Sequence, residues 1–84
     1  MFGEPLADGE ALVFRFSEAR RRSVHTLFVR ATIDVIWTVK EEVQRVETMR
    51  PWTLRRVATA DTIIELPAGT ARHVQVGDRV RVGR

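Results

Sequence analysis

Eighty-four residues confine the chain to one domain, 1–84, with one hydrophobic core, and an apolar content of 44% excludes a disordered tail or polar linker. The absence of cysteine excludes disulfides and thiolate metal sites. A net charge of +3 permits a polyanionic partner without demanding one: residues 1–18 carry a local −3, the remainder +6, and thirteen of fourteen basic residues are arginine.

The opening "MFGEPLADGE" is acidic and lacks an apolar run, so it does not read as a secretory signal. No stretch approaches the roughly 18 apolar residues of a membrane span. The expectation is a soluble, cytoplasmic protein. Periodicity along the chain is mostly two, the spacing of strands. "ALVFRF" sets Leu12, Phe14 and Phe16 on one face against Val13 and Arg15. "SEARRRS" reads as a polar loop, and "VHTLFV" as a second strand. "TIDVIWTV" is dense in β-branched residues, with Ile33, Val35, Trp37 and Val39 opposed to Thr32, Asp34, Ile36 and Thr38. A turn at Lys40–Glu41 or Glu41–Glu42 follows, without the glycine or asparagine that tight hairpins prefer. "VQRVETM" returns as its partner, with Val43 and Arg45 on one face and Gln44 and Val46 on the other.

Pro51 ends that strand, and "RPWTLRRVATAD" reads as an irregular connection. "TIIEL" is a short strand. Pro67 opens a helical turn over Ala68–His73, weakened by Gly69. "VGD" is a turn in which Gly77 supplies positive φ and Asp78 bonds its own following backbone. "RVRV" is a last strand. Short, evenly punctuated strands predict a mainly β fold: a compact jelly-roll-like β-sandwich or barrel with one short helix near the C-terminus.

The stretch "IIELPAGTARHVQVGDRV" resembles the C-terminal signature of the domain of unknown function 192 family, with Ile64, Glu65, Leu66, Gly69, Ala71, Gly77 and Asp78 in the pattern's places. "LVFRF" is similar to that family's first strand, and "TIDVIW" to a later one that carries an aspartate, here Asp34. The resemblance spans residues 11–82 in the family's order. It departs at Val24–Val29, where the family shows Phe-Trp-Met-Lys-Asn-Thr. It implies a jelly-roll-like fold and no established reaction. "LPAGTARHVQVGDRVRV" is also similar to swapped-hairpin transcription regulators, over about a fifth of the chain.

Four sets of side chains carry chemistry. Asp34, on the polar phase of its strand, either anchors a ligand or accepts backbone hydrogen bonds that fix a loop; an ionised group there must be paired. His25 and His73 lie on different elements with no second ligand at metal spacing, so no metal or cofactor is expected and surface imidazoles are the ordinary reading. Ser17 and Ser23 lack a nucleophile elbow, and Glu41 and Glu42 do not converge on one bond, so an enzyme is the class least supported. The arginines Arg20, Arg21, Arg22, Arg55 and Arg56, with Trp52 as a stacking surface, suit nucleic acid. Their ordinary reading is a solvated face, neutralised by Glu41, Glu42, Glu47 and Glu65. Trp37 belongs to the core by its alternation. The expected function is binding without catalysis, of a protein or small-molecule partner through His25, Asp34 and Trp52, with nucleic acid as the alternative.

Overall fold

The computed structural model describes residues 11–25, 31–53 and 55–81. Four strands, β1 (Leu12–Val24), β2 (Ile33–Val39), β3 (Glu42–Met49) and β4 (Arg56–Pro67), form one sheet in the order β1-β4-β2-β3. Every neighbouring pair is antiparallel. The strand richest in β-branched residues, β2, takes a central place, paired on one side with β3 and on the other with β4.

Alternation on β2 separates two cores. Ile33, Val35 and Trp37 face Val24, Met49, Ala60 and Ile63 on the first side, with Phe14, Phe16 and Ala58 packed against them. Ile36 faces Val43, Ile64 and Ala71 on the second side, flanked by Val13, Val46, Leu66, Val74 and Val80. Trp37 is fully buried, as its phase predicts, and its Nε1 donates to the Arg22 carbonyl at 3.1 Å. Burying such side chains contributes roughly 1.5–3 kcal/mol each. The indole bond keeps a desolvated donor satisfied.

The β2–β3 hairpin closes on Lys40–Glu41, between the paired Val39 and Glu42. Both central residues have positive φ, 49° and 73°, the mark of a type I′ turn. Neither is glycine, so tertiary bonds hold the strained pair. The Lys40 amide donates to Asp61 Oδ2 at 2.9 Å, and the Glu41 carbonyl accepts from the Val80 amide at 2.7 Å.

The phase expected of β3 breaks at a bulge. Trp37 pairs with Arg45 but Thr38 pairs with Val43, which leaves Gln44 as an extra residue. Val43 therefore packs on the second side with Val46, while Arg45 lies over the Trp37 ring on the first, 5.9 Å from its centroid. Val43 and Arg45 do not share a face.

Two segments expected as loops are strand. "SEARRRS" falls within β1, where a register shift between Arg15 and Arg20 carries the chain past its polar residues. "RVATAD" is the first half of β4, continuous with "TIIEL". Small side chains hid it: Ala58 and Ala60 lie against the first core but give no apolar alternation to read. These long halves of β1 and β4 run beyond β2, and the sheet curls there. The Trp37–Arg22 bond joins strands that are not neighbours, and Arg45 Nη1 on β3 donates to the Val57 carbonyl on β4 at 2.8 Å.

The expected helix near the C-terminus is absent from the described residues. Turns run from Pro67 through His73 instead, with bonds from Thr70 to Pro67, Arg72 to Gly69 and Val74 to Ala71. Gly69 adopts φ +90°, which no α-helix accommodates. Among the described residues the last strand reduces to one bridge, Glu42 to Arg79, while Val82 lies outside them. Gly77 does take positive φ, at +95°. The Asp78 carboxylate accepts from the preceding Gln75 amide at 2.9 Å rather than from backbone that follows it. A second sheet or backbone closure into a barrel is not seen among the described residues. Of "VHTLFV", Val24 ends β1 and His25 follows it, while residues 26–29 lie outside the described residues. No helix among the described residues is long and apolar enough to cross a membrane.

Candidate functional site

Asp34 occupies the second face of β2 and is 2% exposed. Its Oδ2 accepts from the Gly69 amide at 2.9 Å and the Ala71 amide at 3.0 Å, and its Oδ1 from the Thr48 hydroxyl at 2.8 Å. Three donors occupy the carboxylate. It ties the segment after β4 onto the sheet, one of the two roles its strand phase allows. The remaining candidates lie elsewhere.

Trp52 leaves the sheet at the end where β2 begins, whereas Arg55 and Arg56 lie at the start of β4, which the curl brings beside Glu47 on β3. Ile33 pairs with Met49 on one side and Pro67 on the other, so β3 and β4 both finish there. The chain leaves β3 through a turn in which the Thr53 amide donates to the Arg50 carbonyl at 3.3 Å. Pro51 holds the second position and Trp52 the third, where φ is +66°. That is type II geometry, and its third position normally takes glycine. A tryptophan there costs about 1–2 kcal/mol of backbone strain. It recovers little burial, since Trp52 is 67% exposed.

Arg55 and Arg56 follow at the start of β4. Arg56 pairs in register with Val24, so the exposed His25 lies beside them. Thus His25, Trp52, Arg55 and Arg56 share a region, and Asp34 is turned to the opposite face. His73 lies on the turns that cover that second face, against Arg72, whose Nε is 3.3 Å from the imidazole. Among the described residues no group of three or more metal-ligating side chains assembles.

The arginines are largely engaged. Arg20 pairs with Glu18. Arg22 donates to the carbonyls of Ala60 at 2.9 Å and Glu18 at 2.8 Å, and its guanidinium stacks 3.6 Å above the Phe16 ring. Arg45 binds Glu47 through two bonds of 2.8 and 2.9 Å, and Arg56 approaches the same carboxylate at 3.8 Å. Arg79 and Arg81 stand 3.9 and 3.8 Å from Glu41. Arg21, opposite Thr59, and Arg55 are exposed. The triplet Arg20–Arg22 is thus split by the strand's alternation, with Arg21 on the other side from its neighbours.

Residue-level reading passed over Glu65 as a site. Its residue type groups it with the carboxylates that neutralise arginines, but no arginine among the described residues reaches it. Glu65 is 9% exposed on the first face, between Leu12 and Val35, with no ion pair or hydrogen bond among the described residues. Burial pushes its pKa above the ordinary glutamate value. The signal was available in the phase: Glu65 shares its face with the buried Ile63.

A family model, DUF192, described as an uncharacterized ACR, matches residues 1–82. No curated protein and no solved structure matches the chain.

Proposed function

From a chain that belongs to the DUF192 family, a family without a characterised activity, we propose a non-catalytic binding domain. It engages a protein or small-molecule partner around the β3–β4 connection, which carries Trp52, Arg55 and Arg56, with His25 beside Arg56. One observation carries this reading: a large aromatic side chain is held at φ +66° and 67% exposed. Backbone strain of this kind clusters at binding and active sites. A flat ring with adjacent guanidinium groups is also the composition of recognition hot spots.

The curl of the sheet, with Arg45 reaching from β3 to β4, supports a sandwich- or barrel-like closure of the whole chain, and a cytoplasmic location belongs to the same reading. Nucleic acid is the alternative. The pairing of Arg20, Arg56, Arg79 and Arg81 with carboxylates weighs against it, because each engaged guanidinium releases fewer counterions from a phosphate backbone.

Trp52→Gly tests the reading through stability. Glycine relieves the positive φ, and after its own entropy cost about 0.5–1 kcal/mol of stabilisation remains, a rise in Tm of about 3–6 °C. A variant that melts below the wild type makes Trp52 a structural anchor and ends this reading. Emission of Trp52 in a Trp37→Phe background, titrated with single-stranded DNA at low and high salt, tests the alternative. Quenching with a steep salt slope transfers the surface to nucleic acid; an unchanged spectrum removes that option.

A further inference from the structure

Across the first face of the sheet, one row of side chains runs Leu12, Glu65, Val35, Glu47 from β1 to β3. The two glutamates lie two strands apart, about 9–10 Å between Cα atoms. They have opposite surroundings. Glu47 receives two bonds from Arg45 and the approach of Arg56. Among the described residues no cation reaches Glu65: Arg15 on β1 alternates to the other face, and Arg45 and Arg56 are committed to Glu47. Its neighbours in the row are Leu12 and Val35, and Ile63 and Pro67 precede and follow it on the same face.

A buried carboxylate without a partner opposes folding, so its place in an apolar row calls for a purpose. It is not sealed. Among the described residues, no unpartnered side-chain oxygen or nitrogen of a buried residue is fully closed to solvent. The Glu65 oxygens, which lack a partner among the described residues, therefore keep an opening. Glu65 lies two residue pairs from the sheet end where Ile33 meets Pro67 and the chain continues from Met49 to Trp52.

We propose that Glu65 is a ligand-binding carboxylate that receives a cationic group, a primary ammonium or a guanidinium, from the partner engaging the Trp52 end of the sheet. The proposal rests on the binding reading above and names the chemistry of its partner. Glu47 shows the same pairing completed from within the chain. At Glu65 the cation comes from outside. Apolar walls strengthen such a charge-assisted bond by excluding water, and an exposed indole at the same end adds a cation–π surface. The cation has two sources, a free small amine or a Lys or Arg side chain of a protein.

The experiment follows the Glu65 carboxyl carbon by NMR in the full chain. The probes are N-acetyl-arginine amide, N-acetyl-lysine amide and a glycine-flanked arginine pentapeptide, with N-acetyl-glutamine amide as the neutral control. A cationic probe is expected to shift the Glu65 resonance saturably and to lower its titration midpoint, while the neutral control leaves both unchanged. Glu65→Gln is expected to weaken binding about tenfold or more. Binding of the free amides assigns a small-molecule source; binding of the pentapeptide alone assigns a protein. No shift with any probe overturns the proposal, as does equal affinity in Glu65→Gln. Should that variant not fold, the wild-type resonance decides. If Trp52→Gly abolishes probe binding and Glu65→Gln does not, the binding surface stands and this assignment falls. If Glu65→Gln abolishes it and Trp52→Gly does not, Glu65 stands and the Trp52 surface falls.

Discussion

Asp34 and Gly69 are thirty-five residues apart and joined by a hydrogen bond of 2.9 Å from the glycine amide to the carboxylate. With the Ala71 amide on the same oxygen, the bond decides that the chain after β4 turns back over the second face. Gly69 reaches that oxygen at φ +90°, a conformation other residues adopt only at a cost. Asp34→Ala leaves two part-buried amides and the Thr48 hydroxyl without their acceptor. The expected loss is about 3 kcal/mol by urea denaturation, a large share of the stability of a domain this size. A loss under about 0.5 kcal/mol would show that water replaces the carboxylate without penalty.

The strained hairpin tip supplies a gain. Replacing Lys40 with Asn and Glu41 with Gly puts the preferred pair into a type I′ turn. Glu41 gives up its long ion pairs with Arg79 and Arg81, but exposed pairs of that kind are worth little. The double variant is expected to be about 1 kcal/mol more stable, a Tm rise of about 4–8 °C. A lower Tm would mean that the Glu41 carboxylate holds residues 79–81 in place.

Glu65 sets a pH dependence whose sign follows from burial. Its folded pKa is raised, so the folded state favours the neutral acid. The contribution is complete below the unfolded pKa and is lost as pH rises through the folded value. Glu65→Gln removes that loss. The variant is expected to match the wild type at about pH 4 and to exceed it at about pH 8, measured by denaturation at both. A wild type that is the more stable protein at the higher pH would require an unrecognised cation beside Glu65.

Arg45 is the side chain that bridges β3 to the far half of β4, through the Val57 carbonyl and Glu47. Arg45→Leu keeps apolar bulk over Trp37 and removes the bridge. The expected cost is about 1–2 kcal/mol, with faster amide exchange concentrated in residues 56–60 and 20–24. Uniformly faster exchange across all four strands would mean that the curl is held by the core alone.

What the sequence by itself determined is which side chains share a face. The period of two assigned Leu12, Phe14 and Phe16 to one side, put Ile33, Val35 and Trp37 together, and buried Trp37; all of these but Leu12 are found in the first core or packed beside it. It also narrowed the hairpin tip to Lys40–Glu41 or Glu41–Glu42, of which the structure takes the first, and located the positive φ of Gly77 and the resemblance that the family model bears out. These are local properties, written in alternation and in turn chemistry.

The tertiary structure alone decided what lies across each face. A bulge at Gln44 separated Val43 from Arg45, although their spacing in the sequence is that of one face. Pairing with β1 drew Arg56–Asp61 into a strand that small side chains had concealed. Asp34 was open between ligand and loop until Gly69 and Ala71 took its oxygen. Trp52 was named as exposed, but its strained φ arises from a turn that the chain must make between β3 and β4. Glu47 and Glu65 read alike as acidic residues on strands. They differ because the arginines that answer Glu47 come to it by a bulge and a curl, and among the described residues no such geometry brings one to Glu65. Periodicity records orientation about the chain's own axis, whereas partners are set by non-local pairing, which no local pattern encodes.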